Sequence, residues 1–369
     1  MLRRERGAVL LAFVLILVIA AAYVLTSKLN SASATAYRQS RNAKALAESR
    51  EALVGRAVAD INRPGSLPCP DTNGDGQAEL FAGTACPDYI GRFPWRTLEV
   101  ADVRDFAGEQ LWYALSRNFR DHPAAGPINS ETAGQLTLDG TGDVVAVVFA
   151  ADSLLPGQNR PNNIVTNYLE AENSDGDDDF VSMAVGDFND QAAAISRQEL
   201  MGAIEKRVGA EVRRALLDYE SAFGNYPFAA PFSAAAPTLQ SQVGLSEGLV
   251  PANNVAPPIA LPAWFQGNGW DRLTVYAVNC ADTPPPGCPA PQLRAGTVNA
   301  DAIVATAGRR LNGVATACGN PYNQQVRDTG SSICDYLDRV ESTNSDEVFD
   351  PVGTAVTATY NDRIKIVSP

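Results

Sequence analysis

Ala8-Val9-Leu10-Leu11-Ala12-Phe13-Val14-Leu15-Ile16-Leu17-Val18-Ile19-Ala20-Ala21-Ala22-Tyr23-Val24-Leu25 is an uncharged apolar run near the start of the chain. With Thr26 and Ser27 it makes a helix of roughly 30 Å at 1.5 Å per residue, about the thickness of a bilayer's hydrocarbon core. Residues 8–27 are therefore expected to cross a membrane. Arg3, Arg4 and Arg6 stand before the run. By the positive-inside tendency they hold the N-terminus in the cytoplasm and send everything after Leu29 across.

Two processing routes compete. A secretory signal peptide has a shorter apolar core and a small-x-small cleavage site beyond it, which Ala32-Ser33-Ala34 supplies. Against it stands the pattern that follows. No proline occurs from Lys28 to Ile61, and Leu46, Leu53, Val54, Ala57, Val58 and Ile61 fall on one helical face. The apolar helix is expected to run unbroken into an amphipathic one and to stop at Asn62-Arg63-Pro64-Gly65.

A short basic leader ending in glycine, an apolar helix and its amphipathic continuation together resemble the N-terminus of type IV pilins and type II secretion pseudopilins. The resemblance implies cleavage by a prepilin peptidase between Gly7 and Ala8. It also implies a single-pass inner-membrane protein with its C-terminal part in the periplasm, and other pilin or pseudopilin subunits as partners. Most members carry a glutamate at the fifth mature position; here that position is Ala12, which resembles the minor subunits that prime or cap a fibre.

Over 369 residues the length allows two or three domains, and 45% apolar residues supply real cores. A net charge of −13 argues against a nucleic-acid partner, because a phosphate backbone calls for a basic surface. Six cysteines in a chain that reads as exported point to disulfides. Loop closure favours near neighbours: Cys69 with Cys86, Cys280 with Cys288, and Cys318 with Cys334. His122 is the only histidine and the thiols are scattered, so zinc is not expected.

From Asp190 the pattern begins again. Leu200, Ile204, Val208, Val212, Leu216, Tyr219 and Phe223 recur at helical spacing and end at Gly224-Asn225-Tyr226-Pro227, a junction similar to that of major pseudopilins. Pro262-Ala263-Trp264 then matches Pro94-Trp95. Val275-Tyr276-Ala277-Val278-Asn279 matches Trp112-Tyr113-Ala114-Leu115-Ser116, and Asp301-Ala302-Ile303-Val304 matches Asp143-Val144-Val145-Ala146. Asp335-Tyr336-Leu337-Asp338 echoes Asn167-Tyr168-Leu169-Glu170. The expected fold class is α+β: an N-terminal membrane-spanning long helix followed by two pilin-like heads, each a long helix packed on a small antiparallel sheet, by internal duplication. The expected divisions are a leader over 1–7, the long helix over 8–62, a first head over 63–190 and a second over 191–369.

One constellation suits a cation. Asp71, Asn73, Asp75 and Glu79 place oxygen side chains at positions 1, 3, 5 and 9 of a calcium-type loop, with Gln77 offering its carbonyl and Gly76 at the sharp turn. Position 12 is Ala82, so the bidentate glutamate of an EF-hand is missing. Asp88 stands as a loosely held further ligand. A solvated polar turn is the competing reading. The denser cluster Glu172, Asp175, Asp177, Asp178 and Asp179 reads as a solvated acidic turn.

Enzyme motifs are absent from the sequence: there is no GxSxG, P-loop, GxGxxG or HExxH. The expectation is therefore a non-catalytic minor pilin or pseudopilin of a type IV pilus or type II secretion filament, with calcium as its one candidate ligand. The alternative is a calcium-stabilised periplasmic or surface binding protein with a cleaved signal peptide; an exported hydrolase comes third.

Overall fold

A computed structural model describes residues 5–182, 188–232, 239–252, 259–279, 293–311, 327, 330, 332–338 and 347–369; within the first helix the side chains of 5–10, 22 and 24–32 lie outside the description. That helix, α1, runs over Glu5–Ala59. Its two halves differ in what covers them. Asn42, Ala45, Leu46, Ser49, Leu53 and Ala57, on one face of the helix, are buried against the body. The Asp60 carboxylate then accepts from the N–H groups of Asn62 and Arg63 at 2.8 and 2.6 Å and turns the chain away from the helix. Farther toward the N-terminus, Leu11, Phe13 and Ile19 are 72%, 62% and 60% exposed.

Six strands follow α1: β1 Ile90–Arg92, β2 Trp112–Leu115, β3 Leu136–Leu138, β4 Thr141–Ala150, β5 Asp179–Phe180 and β6 Gln191–Ser196. The β-branched run of β4 makes it the centre of the sheet, paired antiparallel with β2, β3 and β6, while β1 adds to β2 and β5 lies parallel to β3. The chain passes from β6 straight into α2, Arg197–Phe223, whose N-cap Ser196 accepts from Glu199 N.

The connectivity then recurs. Strands β7 Glu247–Leu249, β8 Thr274–Val278, β11 Ala302–Thr306 and β13 Arg363–Ser368 make a second antiparallel sheet in the order β13-β11-β8-β7. A short helix α3, Ala263–Gly267, precedes β8. Beside this sheet, β9 Arg294–Ala295 pairs with β10 Val298–Asn299 and takes β12 Val348–Phe349 in parallel, as β3 takes β5. Tyr113 faces Val148 across β2 and β4; Tyr276 faces Val304 across β8 and β11.

Several expectations are corrected. Among the described residues no helix is long and apolar enough to cross a membrane. The expected transmembrane segment 8–27 and the single-pass inner-membrane localisation are overturned by that finding. The fold class of a membrane-spanning helix followed by two heads also fails on packing. One hydrophobic core takes in Leu46 and Leu53 of α1, Val208 and Leu216 of α2, Tyr113 and Val148 of the first sheet, and Tyr276 and Val304 of the second. The two units are fused through their helices, with Arg50 of α1 bonded to Glu199 of α2 at 2.7 Å. Residues 191–196 form β6 on the first sheet, and α2 follows from Arg197.

Candidate functional site

The body grips α1 at a neck. Arg38 Nε lies 3.4 Å from the buried carboxylate of Asp152, and Asn42 Nδ2 donates to the same Asp152 Oδ2 at 2.8 Å. Asn42 Oδ1 accepts from Phe106 N at 2.7 Å, and Tyr37 stands edge-on to Phe106. Asp152 is fully buried, so these donors offset a charge that burial alone would penalise. Toward the N-terminus from the neck Arg38 is half-buried, and the described side chains of α1 from Tyr37 back to Leu11 are all exposed. Gly7 and Ala8, the expected processing site, lie in the first turns of α1, where side chains are outside the description.

The second place is the Asp71 loop, closed by a disulfide between Cys69 and Cys86. Asp71 is fully buried, and its carboxylate accepts from the N–H groups of Asn73 at 3.0 Å, Gly74 at 2.6 Å and Gly76 at 2.6 Å. Gly76 has φ +85°, the left-handed conformation the sharp turn requires. Burial pushes the Asp71 carboxyl above its ordinary range, the three N–H donors pull it back, and Asp75 adds repulsion. Asn73 Oδ1 accepts from Asp75 N, and Asp75 Oδ1 from Gln77 N. Glu79 is drawn back across the loop, where its Oε1 accepts from Thr72 Oγ1 at 2.8 Å and Asn73 Nδ2 at 3.0 Å.

Among the described residues no three His, Cys, Asp or Glu side chains converge to hold a metal. Asp71, Asn73 and Asp75 share the turn, with hard oxygen donors of the kind calcium takes, but only two of the three carry charge. Asp88 does not join them. Its carboxylate caps the N–H groups of Tyr89 and Ile90 and faces the second acidic turn across a cleft with Asp177 and Asp178. In that turn Asp178 is paired with Arg117 at 2.5 Å and Asp179 accepts from Thr137.

Cys334 is disulfide-bonded; Cys280, Cys288 and Cys318 lie outside the described residues. His122 Nδ1 accepts from Ala124 N at 3.1 Å and its ring meets Phe81, a capping arrangement.

Sequence reading passed over a third feature, present in both units. Glu170 N donates to Asp190 Oδ2 at 2.9 Å, and Asn189 N donates to Glu170 Oε2 at 3.0 Å. In the second unit Asp338 N donates to Asp362 Oδ2 at 2.6 Å, and Asn361 N donates to Asp338 Oδ2 at 2.8 Å. An arginine closes each: Arg160 donates to the carbonyls of Asp152 and Tyr168, Arg327 to those of Gly308 and Tyr336. Burial, then the facing Glu170, pushes the Asp190 carboxyl up to about 8. Burial and Asp338 raise Asp362 likewise. The signal in the sequence was Phe188-Asn189-Asp190 before Ser196 against Tyr360-Asn361-Asp362 before Ser368.

No protein-family model, curated protein or solved structure matches the chain.

Proposed function

We propose that the protein is a non-catalytic, pilin-like filament subunit that assembles through the exposed N-terminal part of α1. The observation that carries this reading is the contrast along one helix. From Asn42 to Ala57 the apolar face of α1 is covered by its own body, whereas Val14, Leu15, Ile16, Leu17 and Val18 are each 52–64% exposed. Consecutive exposed residues of this kind point in every direction around a helix, so no single face of the body serves them. Helices of neighbouring subunits packed on several sides do.

The same proposal gives the Asp71 loop a calcium ion as a structural ligand, held by oxygens of Asp71, Asn73 and Asp75. It is supported by hard oxygen donors around one turn and by a buried Asp71 carboxylate to which, among the described residues, no cationic side chain is bonded.

Sedimentation of the full chain against Leu15→Ser/Ile19→Ser tests assembly. The wild type is expected to form concentration-dependent assemblies that the double variant loses, with the melting temperature of the body unchanged. A wild type that stays monomeric at every concentration contradicts the reading.

A further inference from the structure

Between α2 and the second sheet lies a cavity of about 190 Å³. Gly209 of α2 opens it: a Cβ built there would stand 3.6 Å from both Thr306 Oγ1 and Lys365 Cδ, which leaves room for one methyl group. On the sheet side, Thr306 is fully buried and its hydroxyl has no hydrogen-bond partner among the described residues. Buried polar groups are nearly always matched, so this hydroxyl is poised for a partner that the described chain does not supply.

The first unit provides an internal comparison. With Tyr113 set on Tyr276 and Val148 on Val304, Thr306 corresponds to Ala150. The hydroxyl therefore belongs to the second unit alone.

Charge then narrows the ligand. Lys206, Arg363 and Lys365 line the cavity together with two carboxyl groups, Glu205 and Asp362. Three cations against two acids leave a surplus of one positive charge, in a chain whose net charge is −13. Both acids are already engaged: Glu205 accepts from Ser130 Oγ at 2.9 Å and lies 3.5 Å from Arg363 Nε, while Asp362 accepts from Gly308 N and Asp338 N. Burial raises both carboxyls, Glu205 to about 7, which increases the surplus. Among the described residues the Thr306 hydroxyl and the ammonium groups of Lys206 and Lys365 remain to meet an anion, and Val352 and Ile364 supply apolar walls. At about 30 Å³ per water the volume suits roughly six non-hydrogen atoms.

We propose that this cavity binds a small aliphatic carboxylate, its charged end on Thr306 Oγ1 and the ammonium groups of Lys206 and Lys365, its short chain against Ile364 and Val352. Calorimetry on the full chain with butyrate, and with inorganic phosphate as the second probe, tests it. Butyrate is expected to bind one to one. Thr306→Val should weaken it about tenfold, the loss of one charge-assisted hydrogen bond, without lowering the melting temperature. Gly209→Ala should raise the melting temperature, since alanine is the better helix residue, and weaken binding, because its Cβ would stand 3.6 Å from Thr306 Oγ1 and Lys365 Cδ and take up part of the cavity. Absence of butyrate binding at millimolar concentration, binding that both variants leave unchanged, or preference for phosphate would each overturn the proposal.

Discussion

The hydroxyl of Tyr113 donates to the carbonyl of Pro68 at 3.2 Å, and that of Tyr276 donates to the carbonyl of Pro227 at 3.0 Å. The same buried tyrosine thus fastens the same turn in both units. Tyr113→Phe and Tyr276→Phe are each expected to lower stability by about 0.5–1.5 kcal/mol, by similar amounts, in urea unfolding followed by circular dichroism. A loss confined to one variant would show that the two turns are held differently.

Close backbone approach is repeated too. A Cβ at Gly248 would stand 1.9 Å from the carbonyl oxygen of Ala230, and one at Gly91 would stand 2.7 Å from that of Asp71. These are the partners of the bridges Ala230 to Leu249 and Asp71 to Arg92. Both alanine variants should lose stability, by about 1–3 kcal/mol or more, with Gly248→Ala the worse because its clash is with backbone at shorter range. Equal melting temperatures for wild type and Gly248→Ala would contradict the described approach.

Asp190 makes stability depend on pH. Its folded carboxyl holds its proton up to about 8 against an ordinary 3.8. Between those values the folded state binds more protons than the unfolded one, so stability falls as pH rises from about 4 to about 8 and levels off above. Asp362 and Glu205, also raised by burial, add to the same slope. Asp190→Asn is expected to flatten the slope without abolishing it, and to melt a few degrees above wild type at pH 8 but not at pH 4. Parallel melting curves for the two proteins across that range would sink this account.

For the Asp71 loop, binding of calcium to the folded state must raise the melting temperature. Heating the protein with millimolar calcium and with a chelator should give a shift of a few degrees that Asp75→Ala removes. An unchanged melting temperature in both would leave the loop held by its three N–H donors and the disulfide alone.

How far this could be read in the sequence depended on the kind of residue that carried the signal. The match between the Tyr113 and Tyr276 stretches was legible because an aromatic flanked by apolar residues at matched spacing survives in both units; that the first is a strand was not, since so short an apolar run fits helix or strand alike. The stripe from Leu200 to Leu216 on α2 was legible by its period, and all five of its spaced apolar residues are buried. Strand β6 was not. Gln191-Ala192-Ala193-Ala194 has little intrinsic strand preference, and it is a strand because ten-residue β4 offers it an edge. The acid pairs were hidden because Glu170 and Asp190 are joined only by the fold, and neither looks unlike any other surface acid in a chain holding 42 of them. The shared core was hidden as well: two amphipathic helices look the same in sequence whether they cover separate sheets or also pack on each other.

Assembly through α1 is the central claim, and ordered helix packing has a period. Single cysteines placed in turn from Leu11 to Ile19 of the full chain, oxidised and resolved without reductant, report which positions meet a neighbour's helix. The account predicts inter-subunit crosslinks that rise and fall every three to four residues. Crosslinking that is uniform along the segment, or absent at every position, would contradict it.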